Sequence, residues 1–332
     1  MSPVTESAVV RVARAFRAAI LAEDAEQMAL LADRYLQLEL SLEDTISALA
    51  ERIANMDDAT YWQIQRLETY QRYQLRLLAE LDQYNAWVAE NVREGQLRFA
   101  GLGTDHAAAT LETARRGASV PLTSAERDRL MAMVGYAGDG SPLSTLLAQS
   151  GDYVRAAVTK NLLDAVARAQ NPRVTARAIR KATGMALNRA MAIARTEQLR
   201  VYRDATAANY RASGIQWYQR ISGRQSTSCI ACISLDGEIS TSDASVDDHP
   251  NGLCSSIPIV PGVENPVMES SQAWFSRQSE PFKQAIMGQE RYRLYQSGQI
   301  SWSDLGRHTH DAVWGGSVSP VPLRDLSASV AA

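Results

Sequence analysis

Four residues in one short window have the types and the spacing of metal ligands. Cys229 and Cys232 form a C-x2-C pair, and His249 and Cys254 follow one loop later as an H-x4-C pair. Structural zinc sites use four tetrahedral thiolate and imidazole ligands, and a C-x2-C pair on a tight turn presents two sulfurs on one side. The four residues therefore fit a closed Cys3His structural zinc site, which leaves no open position for a hydrolytic water.

The same cysteines have two other interpretations. The chain contains three cysteines, an odd number that cannot close a disulfide framework, and free cysteines are often small buried apolar residues. A redox C-x-x-C pair would open a helix after a strand, whereas this pair is followed by a Ser-Leu-Asp-Gly turn at residues 234–237. The redox interpretation is the weaker one, and metal binding and simple burial both stay open here.

Two acids precede His249, but they do not indicate an enzyme. Asp247 and Asp248 could orient a histidine base, yet no nucleophile in a recognisable elbow accompanies them. The sequence also lacks a G-x-G-x-x-G loop and a G-x4-G-K-[ST] loop for phosphate. We therefore interpret the two acids as a solvated acidic loop and predict a chain that is not an enzyme.

The net charge of -3 hides an uneven distribution. The N-terminal part is acidic, residues 151–224 are rich in Lys and Arg, and Glu197 is the only acid between positions 171 and 200. These residues form either a patch for a polyanion, a surface for an acidic protein, or simply the polar side of amphipathic helices. The candidate contact patch consists of Arg173, Arg177, Arg180, Lys181 and Arg189.

The length and composition of the chain exclude several classes of protein. The chain has 332 residues, of which 45% are hydrophobic, so two or three folded units are expected and a wholly disordered polymer is excluded. No apolar run is long enough to span a bilayer, and the N-terminal residues carry arginines inside an amphipathic pattern. We expect a chain that is neither membrane-spanning nor secreted.

Periodicity predicts a mainly α fold with a small α+β domain. Apolar residues recur at helical spacing from residue 9 to residue 38, and Ser41 with Asp44 has the pattern of a capping box that starts a second helix. A third helix is predicted from about residue 58 to residue 94. Gly101 and Gly103 then indicate a looser region.

The elements nearest to the candidate ligands are predicted from stronger signals. Asn171-Pro172 should break a helix, residues 186–213 contain no helix breaker before Gly214, and residues 215–221 alternate like a strand. Helical patterns return after residue 271. The predicted divisions are a helical region over 1–120, an α+β domain over 121–262, and a helical or extended docking tail over 263–332.

Several short motifs follow one another in a fixed order along residues 193–258. They are Ile193-Ala194-Arg195-Thr196-Glu197, Tyr210, Gly214, Trp217, the C-x2-C pair, Leu235-Asp236-Gly237, and His249-Pro250-Asn251 before Cys254 and Pro258. In this order they resemble the Mu F-like minor head proteins, the head-morphogenesis family of tailed bacteriophages. The resemblance covers about residues 150–262.

The resemblance implies a minor capsid protein in the interior of the head at the portal vertex, after assembly in the host cytoplasm. The implied partners are the portal protein and the major capsid or scaffold protein, with contact to packaged DNA during packaging or ejection and no membrane in the mature particle. Arg195 and Glu197 lie two apart on one helix, so we expect separate anchors: Arg195 to a carbonyl or acidic partner and Glu197 to the strand region. The other structural residues of the motif are Thr196, Asp236, Gly237, Pro250 and Asn251.

One position departs from the family pattern. The family typically ends this motif with His-Pro-Asn-Cys-Arg-Cys, whereas Gly252 and Leu253 precede Cys254 in this chain. The zinc site keeps four ligands but has no spare one, and a role for the family arginine cannot be carried over. Two rival functions are a toxin-type or transferase-type enzyme of the same family, which would need a further domain after about residue 262, and a nucleic-acid-binding module that uses basic residues 173–200.

Overall fold

The computed structural model describes residues 6–56, 60–116, 121, 123, 125, 127–168, 170–266 and 268–326. Helices account for 66% of the described residues, whose strands form one three-stranded sheet and one hairpin. This confirms the predicted class, mainly α with a small α+β part. Among the described residues, no helix is both long enough and apolar enough to cross a membrane.

The described elements follow this order along the chain. The helices are α1 (Ala8–Ala54), α2 (Tyr61–Arg66), α3 (Glu68–Arg115), α4 (Arg127–Met131), α5 (Leu143–Ala148), α6 (Ser150–Ala167), α7 (Pro172–Thr183), α8 (Met185–Ala212), α9 (Ile230–Ser234), α10 (Ser271–Ser276), α11 (Glu280–Met287) and α12 (Gln289–Gln296). The strands are β1 (Trp217–Ile221), β2 (Ile239–Thr241), β3 (Ser255–Ile259), β4 (Gly306–Asp311) and β5 (Gly315–Pro320).

The chain divides into two compact units, and each is assembled from separated stretches of sequence. The first unit comprises residues 1–22, 96–134 and 196–332, and the second comprises residues 23–95 and 135–195. All four candidate ligands belong to the first unit. The divisions at residues 120 and 262 stay predictions from the sequence.

The second unit is helical, with hydrogen-bonded polar groups inside its core. The hydroxyl groups of Tyr70 and Thr159 lie 2.7 Å apart and are buried together. Helix α7 begins at Pro172, and the side chain of Asn171 caps it by accepting the N–H of Arg173 at 2.9 Å. This confirms the helix boundary predicted at Asn171-Pro172, because proline is favourable in the first turn and asparagine at the cap.

The first unit contains the sheet, in the order β2-β1-β3 with antiparallel pairing on both sides of β1. Tyr218 of β1 stands opposite Ser240 of β2 and Pro258 of β3. Residues of this sheet pack with Cys232 and Cys254 in one apolar cluster. Two of the candidate ligands therefore belong to the core of the first unit.

The helix and the strand that lead to this core were both predicted. The helix expected over 186–213 is α8, and the strand expected over 215–221 is β1. Gly214 lies between them with a φ of 76°, the left-handed conformation that commonly ends a helix and that glycine adopts without strain. The N–H of Ile215 then donates to the carbonyl of Tyr210 at 3.0 Å, which closes the end of the helix.

The predicted helix start at Ser41 is wrong. Helix α1 continues through this position, and the Ser41 hydroxyl donates to the carbonyl of Leu38 at 2.8 Å within the same helix. A serine side chain can bond to a preceding carbonyl as readily as it caps a helix, so its presence does not fix a boundary. The buried stripe continues from Leu38 to Leu42 and Ile46.

The looser region predicted at Gly101 and Gly103 is also wrong, because α3 continues to Arg115. At Gly103, a Cβ atom would collide with the carbonyl oxygen of Tyr202 in α8. The hydroxyl of Thr206 donates to the Gly103 carbonyl at 3.1 Å. Gly103 therefore permits a close approach of α3 and α8 and does not interrupt the helix.

The C-terminal residues pack into the first unit and support α9. Ile230 and Ile233 of α9 lie in one apolar cluster with Phe275 and Leu305. The rings of Phe275 and Trp302 are 5.2 Å apart in the same cluster. The helices predicted after residue 271 thus help to hold the short helix that carries Cys232.

Candidate metal centre

The C-x2-C pair is positioned by the start of α9. Cys229 occupies the cap position before this five-residue helix, and its sulfur accepts the N–H of Cys232 at 3.3 Å. One helical turn thereby brings the two sulfurs to the same side. Cys229 is partly exposed and Cys232 is buried, and neither is in a disulfide.

The other two predicted ligands come from the turn that leads into β3. The N–H of Gly252 donates to the carbonyl of His249 at 2.8 Å, and Asn251 adopts a left-handed φ of 64°. Nδ1 of His249 lies 2.8 Å from the carbonyl oxygen of Pro250. Because a carbonyl can only accept, Nδ1 carries a proton and Nε2 is the nitrogen that can bind a metal.

The donor atoms form two groups that share Cys232. One group contains Cys229, Cys232 and His249, the other contains Cys232, Asp248 and Cys254, and within each group the donor atoms lie within 4.8 Å of one another. The cluster can therefore hold a metal ion. The four predicted ligands are brought together through Cys232, and Asp248 is a neighbour that was not predicted as part of the site.

Hydrogen bonding divides the protons unequally among these groups. The hydrogen bond with the Cys232 thiol, together with His249, lowers the pKa of Cys229 to about 4. The hydrogen bond with Cys229 raises the pKa of Cys232, and burial raises it further. The pKa of His249 is raised to about 9, chiefly by its hydrogen bond to Cys229. A metal ion would displace the retained protons, since thiols bind metals as thiolates and histidine binds as the neutral ring.

The burial of Asp248 contradicts the prediction of a solvated acidic loop at residues 247 and 248. Its side chain is completely buried, whereas the Asp247 side chain is 39% exposed. The Asp248 carboxylate accepts the backbone N–H groups of His249 at 3.0 Å and Cys254 at 2.8 Å. The loop prediction thus holds for Asp247 and fails for Asp248, which is held by backbone donors of two candidate ligands.

Two arginines from different elements surround this buried carboxylate. Arg203 of α8 lies 3.5 Å from Asp248, and Arg220 of β1 lies 3.6 Å from it. Burial opposes ionisation of Asp248, but the two guanidinium groups outweigh burial and hold the pKa of Asp248 below its ordinary value. Arg220 also directs Nη2 towards the sulfur of Cys232 at 3.9 Å. Both arginines lie far from Asp248 in the sequence, so local patterns give no signal for them.

The structural motif residues around the cluster are joined by hydrogen bonds. The hydroxyl of Thr196 accepts the N–H of Asn251 at 3.1 Å, and Arg203 donates to the carbonyl of Gly252 at 3.2 Å. Asp236 accepts the N–H of Ser222 at 2.6 Å and pairs with buried Arg224. Thr196 and Asn251, which lie 55 positions apart in the motif block, are therefore in direct contact.

Arg195 and Glu197 are the two residues of α8 that were predicted to anchor this helix to other parts of the structure. Arg195 binds the carboxylate of Asp24 through Nε at 2.8 Å, which confirms an acidic partner. Glu197 is buried and pairs with Arg200 of the same helix at 2.8 Å. An anchor from Glu197 to the strand region stays a prediction.

Gly237 has a local role that its residue type explains. Its φ is 97°, and its N–H donates to the carbonyl of Arg220 at 3.0 Å. The Arg220 N–H in turn donates to the carbonyl of Glu238 at 2.8 Å. The Asp236-Gly237 turn therefore connects the chain after α9 to β1, the strand that carries Arg220.

The predicted basic patch separates into two sets. Arg173, Arg177 and Lys181 are exposed on α7 at intervals of four residues, which places them on one face of the helix. Arg180 pairs with Glu43, whereas Arg189 bonds to a glutamine and stacks on an aromatic ring. The contact surface available on α7 is thus Arg173, Arg177 and Lys181.

Comparison of the chain with models of protein families, with curated proteins and with solved structures found no match in any of the three. The donor set itself is chemically selective, because three thiols and one imidazole suit zinc and other borderline or soft ions better than magnesium or calcium. Function is therefore inferred from this cluster and from the ordered motifs.

Proposed function

We propose that the chain is a minor head protein of a tailed bacteriophage whose motif block is built around a structural zinc centre. The observation that carries the proposal is the hydrogen bond from the N–H of Asn251 to the Thr196 hydroxyl at 3.1 Å. These residues belong to the two ends of the motif series that resembles the Mu F-like family. Contact between the ends is what a functional motif set requires, whereas chance matches have no reason to meet.

In this proposal Cys229, Cys232, His249 and Cys254 hold the zinc ion. The bound ion would cross-link α9 to the loop before β3, in addition to the apolar packing that already holds α9. Four protein ligands leave no position for water, so the centre acts as a structural support and the chain acts by binding rather than by catalysis.

The proposed site of action is the portal vertex in the interior of the head. The chain would be incorporated there during head assembly in the host cytoplasm. The proposed partners are the portal protein and the major capsid or scaffold protein, with contact to packaged DNA. The support for these partners is the family resemblance of residues 150–262.

Co-purification with procapsids tests this proposal. The chain should be found in purified heads in few copies and should bind isolated portal, and deletion of its gene should reduce the yield of infectious particles. Absence of the chain from purified heads, together with normal heads and infectivity after deletion, would contradict the proposal. A Cys232→Ser variant that is expressed but not incorporated would connect the zinc centre to assembly.

A second candidate function, binding of nucleic acid, is favoured by the exposed face of α7. Arg173, Arg177 and Lys181 repeat every four residues and so extend about 12 Å at a rise of 1.5 Å per residue. A row of cations along one face suits a phosphate backbone and produces binding that weakens steeply with salt.

Charge reversal distinguishes this second function. A triple variant of Arg173, Arg177 and Lys181 to glutamate should abolish salt-dependent binding to duplex DNA, and reversal of the exposed residues Arg66, Arg72 and Arg76 is the matched control. Equal losses in both variants, or no DNA binding by the unaltered chain, would remove nucleic acid as the partner of α7.

A further inference from the structure

The buried charges around the candidate metal centre do not balance by themselves. The side chains of Arg203 and Arg220 are 7% and 2% exposed, and among the described residues the only carboxylate that pairs with both is Asp248, with 0% exposure. Two permanent positive charges therefore face one carboxylate at this position. An uncompensated buried charge is strongly destabilising, so the region requires a further negative charge.

The sulfur atoms are in the right place to supply that charge. Nη2 of Arg220 points at the sulfur of Cys232, and Cys232 and Cys254 both lie in the group that contains Asp248. A divalent ion with three thiolates and a neutral imidazole has a net charge of minus one. Together with Asp248, this centre balances the two buried guanidinium groups of Arg203 and Arg220, and the half-buried guanidinium of Arg17 from α1 adds a further positive charge beside Asp248, Cys232 and Cys254.

The hydrogen bonds of Asp248 indicate that this residue is not one of the metal ligands. Its carboxylate already accepts the N–H groups of His249 and Cys254 and faces both arginines. If Asp248 replaced His249 as the fourth ligand, the centre would carry one more negative charge but no separate carboxylate would remain, and the metal would compete with two backbone N–H groups and two guanidinium groups for the lone pairs of that carboxylate. Outer partners that orient ligands in this way are a regular part of metal sites.

We infer that Asp248, Arg203 and Arg220 form a charge-compensating shell that selects an anionic centre of three thiolates and one imidazole on a divalent ion. Asp248 is a positioning residue that fixes the backbone of His249 and Cys254. Arg220 stabilises the thiolate form of Cys232. The inference rests on the proposed metal site. It adds which residues are ligands, the net charge of the centre, and the residues that stabilise this charge.

Cobalt substitution tests the ligand set in the full chain. The absorption from thiolate-to-cobalt charge transfer scales with the number of sulfur ligands. Asp248→Asn should keep the intensity of the unaltered chain per bound cobalt, and Cys254→Ser should lose about one third of it, as expected for one of three thiolates. The reverse result, a spectrum changed by Asp248→Asn and unchanged by Cys254→Ser, would overturn the assignment.

Zinc affinity tests the role of Arg220, with a chromophoric chelator as competitor. Arg220→Gln should weaken zinc binding about 10-fold or more without a change in stoichiometry, and Arg220→Lys should recover part of the loss. Arg224→Gln is the matched control, because Arg224 is a buried arginine of the same unit that pairs with Asp236. Equal affinities of the Arg220→Gln and Arg224→Gln variants would overturn the inference.

The two levels of failure can be separated. If the unaltered chain binds neither zinc nor cobalt, the proposed metal site and this inference both fail. If it binds one ion tightly but the Arg220 and Asp248 variants behave otherwise than stated, only the charge-compensating shell fails. Arg220→Lys keeps the buried positive charge, so it preserves a testable folded variant if Arg220→Gln does not fold.

Discussion

Gly252 packs directly against the carboxylate of Asp248, so closely that a Cβ atom at position 252 would overlap it. The carboxylate cannot move aside easily, because it is held by two backbone N–H groups and faces Arg203 and Arg220. Gly252 is also the position at which the chain differs from the motif of the family that it resembles, where a cysteine is typical. The position of the buried Asp248 carboxylate therefore leaves no space for a side chain at position 252.

The first prediction concerns this contact. Gly252→Ala should lower the free energy of unfolding by about 1–3 kcal/mol, the usual effect of an added group in a packed site. Chemical denaturation of the unaltered chain and the variant measures it. Gly252→Cys should be at least as destabilising, although cysteine is the residue in the motif that the chain resembles. An unchanged unfolding midpoint for Gly252→Ala would contradict the prediction, because it would show that the Asp248 carboxylate moves to make room for the added methyl group.

The second prediction compares two glycines of helix α3. A Cβ at Gly103 would meet the carbonyl of Tyr202, whereas a Cβ at Gly101 would have no neighbour within 4 Å. Gly103→Ala should therefore destabilise the chain by about 1–3 kcal/mol, and Gly101→Ala should stabilise it by about 0.5–1 kcal/mol because alanine favours the helix. Thermal unfolding of both variants checks the prediction, and equal shifts in the same direction would refute it.

The third prediction concerns pH. Burial lowers the pKa of His106 to about 4, although its hydrogen bond to the Ser256 carbonyl at 2.8 Å works in the opposite direction. The unfolded chain takes up this proton near the ordinary pKa of 6.5, so the stability from neutral His106 is complete above pH 6.5 and declines as pH falls towards 4. The full effect is at most about 3 kcal/mol.

Denaturation at several pH values between 7 and 4 measures this effect. A His106→Gln variant should lose the part of the pH dependence that belongs to His106, whereas exposed His310→Gln should retain the slope of the unaltered chain. Identical slopes for all three proteins would contradict a neutral buried histidine at this position.

Local sequence signals were sufficient for several elements and for the ligands. Helix α8, its end at Gly214, strand β1 and the cap at Asn171 follow from short-range propensity and from residue types with few alternatives. The proximity of Cys229 and Cys232 to His249 followed from ligand spacing. These features depend on neighbours in sequence.

The features that were missed depend on residues that are distant in sequence. Asp248 is buried because Arg203 arrives from α8 and Arg220 from β1, and the acidic neighbourhood of Asp248 gave no indication of either. Gly103 is helical because α8 packs closely against it. Ser41 stays within α1 because its hydroxyl bonds to the preceding turn. Tertiary packing decided each of these cases.

The most direct test of the account is the metal content of the purified chain, measured together with a Cys232→Ser variant. Cys232 is the right substitution because it belongs to both groups of donor atoms. About one zinc ion per chain is expected in the unaltered protein and a clear loss of zinc in the variant, since removal of one of four ligands opens the site. Less than about half an equivalent of zinc in both proteins would contradict it.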